Sequence, residues 1–403
     1  MAASFQGYNI FPGMQVRGVV DPSLQQLVAT FNLECLSALQ SPVDADLEWA
    51  EIAGVTAGNF QGRVPLDFTN LDGFEPFGGT RDFKEVQVTA LSVDVNQWNR
   101  ALRWDLRLLK QGNAAELSQI FGTATQAQNL VNHARIMKAR LAATVLMKGF
   151  TRAGFTGASG GITAQAQVYY GVNLPATGGA LPGGGLPLFS NGTDTAQHYA
   201  NPTDPNSRRF SNYYTGQGLF SAQNMANARI QMRLIPSPSM SAETLGLQVT
   251  DLLGPSHMEE PFRQVALQSL SLQASYQTAP QSGASATNTF GAATNIYAAG
   301  STPWRYHIAP QLDNDPYIAA YKSANPTWTP QTLPHLWFAV SRKLPGIRPI
   351  EMVAPSKQFT PNIKIFGDGT ELAMQTLKAH VIADLDAGAA AGLPHCIARY
   401  EQT

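Results

Sequence analysis

The chain has 403 residues, enough for two or three compact units or for one large body with extensions. Its 27 Lys and Arg against 28 Asp and Glu leave a net charge of −1, which excludes a global electrostatic pull toward nucleic acid or membrane. Charged residues make up 14% of the chain, well below the ~25% usual for globular proteins, and the deficit falls on the surface. A surface so short of charge implies cover by neighbouring subunits.

No apolar run approaches the ~20 residues of a membrane helix, so a transmembrane protein is excluded. Residues 1–20 carry no basic segment followed by an apolar one, and we expect no secretory leader and synthesis in the cytoplasm. Cys35 and Cys396 make neither a disulfide framework nor a zinc spacing and are read as buried thiols.

In chain order, residues 1–50 pair turn dipeptides with a helix over 23–40, where Leu24, Leu27, Val28, Phe31, Cys35 and Leu39 recur at three-to-four spacing. This reads as an arm with one anchoring helix. Residues 54–80 are loop chemistry with aromatics, Gly73-Phe74-Glu75-Pro76-Phe77 among them. Residues 83–95 and 98–108 alternate with period two; Trp98, Leu102, Trp104, Leu106 and Leu108 share one face, although Arg100, Arg103, Arg107 and Lys110 also fit a helical face. Joined at Asn96-Gln97, the two segments predict a long hairpin, which in isolation is marginal in water.

Residues 113–148 hold the strongest helical stripe, from Leu117 to Val145, interrupted only by Gly122, and predict a spine. Its Arg135, Lys138, Arg140 and Lys148 face a single acid, Glu116; they read either as a solvated face or as a contact for a polyanion. Residues 151–200 carry only Arg152 and Asp194 as charges, and 264–304 carry none. Between these tracts the pattern predicts a helix from Ser221 to 234, a strand over Leu245–Leu253, and a helix opened by the capping-box spacing Ser256 to Glu259 and running to 269, with Pro261 awkwardly inside. The rest reads as strands at 306–309, 336–341, 349–353, 363–366, 377–385 and 396–400, the last two split by a small-residue turn over 386–392.

Chemical motifs are sparse. Gly157-Ala-Ser159-Gly-Gly161 matches a nucleophile elbow in letters, but no strand precedes it and no helix follows. Were Ser159 a serine-hydrolase nucleophile, Asp251 or Asp315 and His335 or His380 would be its partners by chain order alone. The seven histidines fall in no metal spacing, Asp313-Asn-Asp315 lacks the rest of a calcium loop and reads as a turn, and the glycine runs lack the following Lys-Ser/Thr of a phosphate cradle. We expect no catalytic, metal or cofactor site.

The order of elements resembles the major capsid proteins of tailed phages, and among them the Mu-like phage major head subunit group. The residues that carry the resemblance are Phe83–Lys110, the spine ending Leu146-Met-Lys-Gly-Phe150, Leu186–Ser190, Leu245–Leu253 followed by Pro255, Arg348–Met352 and the closing strands 377–400. It implies an α+β capsid fold with an N-terminal arm (1–50), an extended loop or hairpin (51–112), a peripheral domain with the spine helix (113–220), an axial domain (221–339) and C-terminal strands returning to the peripheral domain (340–403). It further implies a non-enzymatic virion protein assembled in the host bacterial cytoplasm. Copies of itself would form pentamers and hexamers of an icosahedral shell around double-stranded DNA, with a separate scaffolding protein, a portal and decoration proteins as partners. Phe74, Phe77, Trp98 and Trp104 are the expected inter-subunit contacts, and Arg135, Lys138 and Arg140 the expected genome-facing cations. An encapsulin-like nanocompartment shell is the alternative within the same fold.

Overall fold

The computed structural model describes residues 10–57, 63–67, 88–93, 95–109, 119, 121–149, 186–190, 198–200, 208–237, 244–267, 304–342 and 348–402, with short segments at 155–156, 163–165, 167–168, 270–274 and 290–294. Phe74, Phe77 and Ser159 lie outside them, as does much of both uncharged tracts. The first part of the chain runs β1 (Met14–Arg17), α1 (Pro22–Gln40), α2 (Ala45–Glu48), β2 (Ala53–Ala57), β3 (Arg63–Asp67), β4 (Val88–Ser92), β5 (Asn96–Asp105), α3 (Leu106–Leu109) and α4 (Thr123–Met147). Short strands follow, β6 (Phe155–Thr156), β7 (Thr163–Gln165), β8 (Gln167–Val168), β9 (Leu186–Pro187), β10 (His198–Tyr199) and β11 (Arg209–Phe210). Then come β12 (Tyr213–Gln217), α5 (Ala222–Arg233), β13 (Asp251–Gly254), α6 (Glu259–Leu267), β14 (Leu270–Ala274), β15 (Phe290–Thr294), β16 (Arg305–Ile308) and α7 (Pro316–Ala324). The chain closes with β17 (Leu336–Val340), β18 (Ile350–Ala354), β19 (Asn362–Phe366), α8 (Glu371–Thr376), β20 (Lys378–Ala391) and β21 (Ile397–Gln402).

The α+β architecture is organised around β20, a strand of 14 residues. Its first ten residues pair antiparallel with all of β5, and residues 380–384 pair with β19 as well. Its last residues pair with β18 and β7, while β1 and β2 add parallel strands outside β19 and β18. Ala387, Ala389, Ala390 and Ala391 are buried there. The predicted turn over 386–392 is therefore strand, because small side chains let neighbouring layers close on both faces; the chain turns at 392–396 instead, and β20 and β21 enter different sheets.

The spine α4 is 25 residues long, about 37 Å at 1.5 Å per residue. Among the described residues it runs from Thr123, after Gly122, whose φ of 55° and ψ of 42° place it in the left-handed region and break the stripe; most of the predicted stretch before Gly122 lies outside the described residues. Its first half buries Ala127, Leu130 and Val131 against Leu24, Leu27, Val28 and Phe31 of α1 and against Ile363, Ile365 and Val381 of the sheet. Its second half, Ala139 to Leu146, sits in a core with Ile350, Met352, Leu385 and, from the other sheet, Leu253, Phe338 and Val340. One helix thus seats two cores, each fully buried leucine or valine contributing about 1.5–3 kcal/mol.

The second sheet runs β12-β21-β17-β13-β16. Its other face packs α5 and α6 through Met225, Met232, Phe262 and Trp337. Ser221 caps α5 as its spacing predicts, accepting from the Asn224 amide. Before α6 the capping box is not made: Ser256 instead donates both its amide and its hydroxyl to Asp313, and a 3₁₀ turn leads into the helix. Pro261 falls in the first turn of α6, where a missing N–H costs little. The strand expected over 245–253 is confined to β13, since Gly246 has φ +57°.

The anchoring helix of the arm packs on the spine, its apolar stripe matching that of α4, and β1 and β2 are strands of the first sheet. Pairing corrects one further expectation. The predicted hairpin turn at Asn96-Gln97 is absent, since both residues continue β5 opposite Ala387 and Asp386. The hairpin that does form joins β3 to β4, over residues 63–92, and among the described residues these two strands pair with nothing else. Of the C-terminal strands, β18, β19 and β20 return to the sheet beside the spine, whereas β21 joins β12 and β17 in the second sheet.

Candidate functional site

The cations expected to face a genome are mostly engaged within the chain. Lys138 Nζ lies 2.6 Å from Glu51 Oε1 and its side chain is 11% exposed, so its charge is neutralised and covered. Arg135 donates to the carbonyls of Leu39 at 2.8 Å and Ser41 at 3.1 Å, binding the C-terminal end of α1 where the helix dipole favours a cation. Both residues therefore fasten the front of the chain to the spine. Arg140 is exposed on the same helix.

The two tryptophans diverge. Trp104 is fully buried, edge-on to Phe31 at 5.6 Å, and its Nε1 donates to Gln126 Oε1 at 3.1 Å. It is a core residue of its own chain, not a subunit contact, because β5 turns its even face inward over α1 and α4. Trp98 sits at the other end of that face, half-buried, with Nε1 donating to the Ala387 carbonyl at 3.4 Å, and it lines a surface pocket with Arg100, Leu130, His133, Met137 and Leu385.

Exposed apolar side chains gather in two places. The registers align the ends of β1, β19 and β5 with the start of β20, and around that end Val20 (66% exposed), Leu108, Leu372, Met374 (64%) and Leu377 project. At the end of α5, Ile230 and Leu234 are exposed one helical turn apart, and Leu219 (62%) is exposed ahead of the helix. Single exposed apolar side chains are ordinary, whereas a contiguous apolar patch marks an interaction surface.

Polar chemistry inside the molecule is structural in its geometry. Arg399 is completely buried and clamps Asp315 through two 2.8 Å bonds, while its Nε donates to Glu401 at 2.7 Å. Burial alone would lower the guanidinium's pKa, but the two carboxylates outweigh it and raise it. Asp251 gathers His307 and Arg342 at 2.9 Å and the Thr250 hydroxyl at 2.7 Å; burial opposes its ionisation, and these donors together hold its carboxyl below the ordinary value. Asn212 ties Leu188, Pro394 and Ile397 together, beside His198 and His395, whose burial lowers their pKa values to about 3 and about 4.

The residues nominated as partners of Ser159 are each engaged elsewhere. Asp315 belongs to Arg399, Asp251 to His307 and Arg342, His335 accepts the Phe220 amide, and His380 meets the Thr376 hydroxyl. Asp313-Asn-Asp315 is the expected turn, with Asp315 capping α7. Among the described residues no group of three or more His, Cys, Asp or Glu could hold a metal, and no helix is long and apolar enough to cross a membrane.

No protein-family model and no curated protein matches the chain. Solved structures do show similarity. The capsid of an empty GTA particle aligns over 90% of this chain and 92% of its own at 8% identity and a TM-score of 0.41. The capsid of Ralstonia phage GP4 aligns over 87% of each chain at 9% identity and 0.41, and that of cyanophage P-SCSP1u over 87% and 86% at 7% identity and 0.40.

The Asp251–His307–Arg342 cluster and the Arg399 clamp escaped the sequence reading. Their members lie 35 to 91 positions apart in the chain and meet only through sheet pairing and helix docking, so no local spacing announces them.

Proposed function

We propose that the chain is the self-assembling structural subunit of a closed protein shell, a major capsid protein of the tailed-phage type, and not an enzyme. Its place is the virion, after assembly in the host bacterial cytoplasm; the narrower likeness to the Mu-like head subunits rests on the sequence resemblance. The observation that carries the reading is the β3–β4 hairpin, which leaves the first sheet just before β5 and pairs only with itself among the described residues. A lone two-stranded hairpin is marginal in water and gains stability by lying on another surface. With the two exposed apolar patches and a 14% charged composition, the chain presents surfaces that repeated self-contact would bury.

In this reading residues 51–112 reach a neighbour, 113–220 with β18–β20 form the peripheral body around the spine, and 221–339 with β21 form the axial body in pentamers and hexamers. Residues 10–50 act less as a free arm than as a docked brace, given their packing on α4. A scaffolding protein, a portal and decoration proteins complete the assembly, and packaged double-stranded DNA is contacted without sequence preference. Electron microscopy of the purified chain is the test: closed particles or five- and six-fold rings are expected, and a field of isolated subunits overturns the proposal.

The internal pairing of Arg135 and Lys138 favours keeping a second reading, an encapsulin-like shell around protein cargo, since it leaves Arg140 as the exposed member of the three. Nucleic-acid content separates the two: shells that carry DNA support the capsid, and DNA-free shells that carry an enzyme support the nanocompartment.

A further inference from the structure

We propose that the pocket between β5, α4 and β20 receives the Phe74-Glu75-Pro76-Phe77 segment of a second copy of the chain, an apolar ring entering beside an acid. This rests on the shell reading. The pocket measures about 180 Å³, floored by Trp98, Leu130, Met137 and Leu385 and rimmed by Arg100 and His133. A void of ~150 Å³ lined by aliphatic and aromatic side chains holds benzene, so a phenyl ring is of the right size. Arg100 gives the rim a positive charge, His133 is exposed with Nδ1 donating to the Asn129 carbonyl at 2.6 Å, and among the described residues no carboxylate lines the pocket. The fitting occupant carries an aromatic ring next to a negative charge.

The segment joining β3 to β4 contains that pair. Phe74 and Phe77 bracket Glu75 with no cation beside them, whereas Phe83 stands between Asp82 and Lys84, whose charges cancel, and Phe68 follows Asp67 of β3 itself. Among the described residues β4 forms no ladder with β5, so β3 and β4 are not tied into the first sheet.

The test is a double variant, Phe74→Cys with His133→Cys, in the full chain; both native thiols are fully buried and give no background. Oxidised particles should run as covalent multimers on a non-reducing gel. A crosslink within single chains would overturn the second copy as occupant. Particles with no crosslink would overturn the pocket assignment and leave the shell reading standing, whereas a wild-type chain that forms no particles would remove the shell reading itself. Independently, Glu75→Lys should raise the subunit concentration needed for assembly about tenfold, with Arg100→Glu restoring it in the double variant. Unchanged assembly of Glu75→Lys would count against the proposal.

Discussion

Glu351 lies in β18 between Gly54 of β2 and Ala390 of β20, 5% exposed, and a Cβ on Gly54 would fall 2.5 Å from its Oε2. Burial pushes its pKa up to about 7, against the opposing charge and backbone amide of Arg348. A carboxyl raised in the folded state binds its proton more tightly there than in the unfolded chain. Its contribution to stability is therefore complete below the ordinary value of 4.5 and is lost as pH rises through about 7. Glu351→Gln should remove this dependence, and the stability gap between wild type and variant should change by up to ~3 kcal/mol between about pH 4 and about pH 8 in urea unfolding. His198 and His395 act with the opposite sign: they are buried neutral, so their contribution stands above 6.5 and is lost as pH falls toward about 3 for His198 and about 4 for His395. Arg399→Met would leave Asp315 and Glu401 buried without their counter-charge, at a cost of roughly 3–5 kcal/mol read from the same unfolding curves.

At the scale of elements, much was legible in the residues. The alternation Trp98, Leu102, Trp104 gave β5 its inward face, Ser221 gave the start of α5, and the stripe from Ala124 to Val145 gave the body of α4. What failed was partner choice and termination. Period two says which face of a strand is buried but not which strand lies beside it, so 88–92 pairs with 63–67 rather than with β5. An alanine run reads as a turn until the layers that close over it are known, as in β20. The surroundings of Trp104 and Lys138 are hidden for the same reason, since Phe31 and Glu51, which cover and pair them, lie 73 and 87 positions away. Trp104→Ala should cost about 3–5 kcal/mol of stability, measured by thermal unfolding of the unassembled chain. Replacing residues 68–87 by a short Gly-Ser turn should instead leave unfolding within about 1 kcal/mol of wild type and abolish assembly, as light scattering would report.

For the whole molecule, a fold that is already braced front to back changes how assembly should be pictured. With α1 packed on the spine, β1 paired to β19, β2 to β18 and β5 to β20, the body has its own cores before any neighbour arrives. In the proposed shell, association falls to the hairpin, the sheet end around Met374 and the exposed apolar residues of α5. Weak contacts repeated around a closed symmetry produce a threshold, below which subunits stay free and above which added subunits enter particles of one size. Arg140→Glu, which alters an exposed cation and no internal bond, should leave that threshold unchanged while lowering the DNA retained per particle. Sedimentation velocity of the purified full chain across a concentration series addresses the central claim most directly. The account predicts a sharp threshold above which a single fast-sedimenting boundary of uniform particles takes up all further subunit; one slow monomer boundary at every concentration would contradict it.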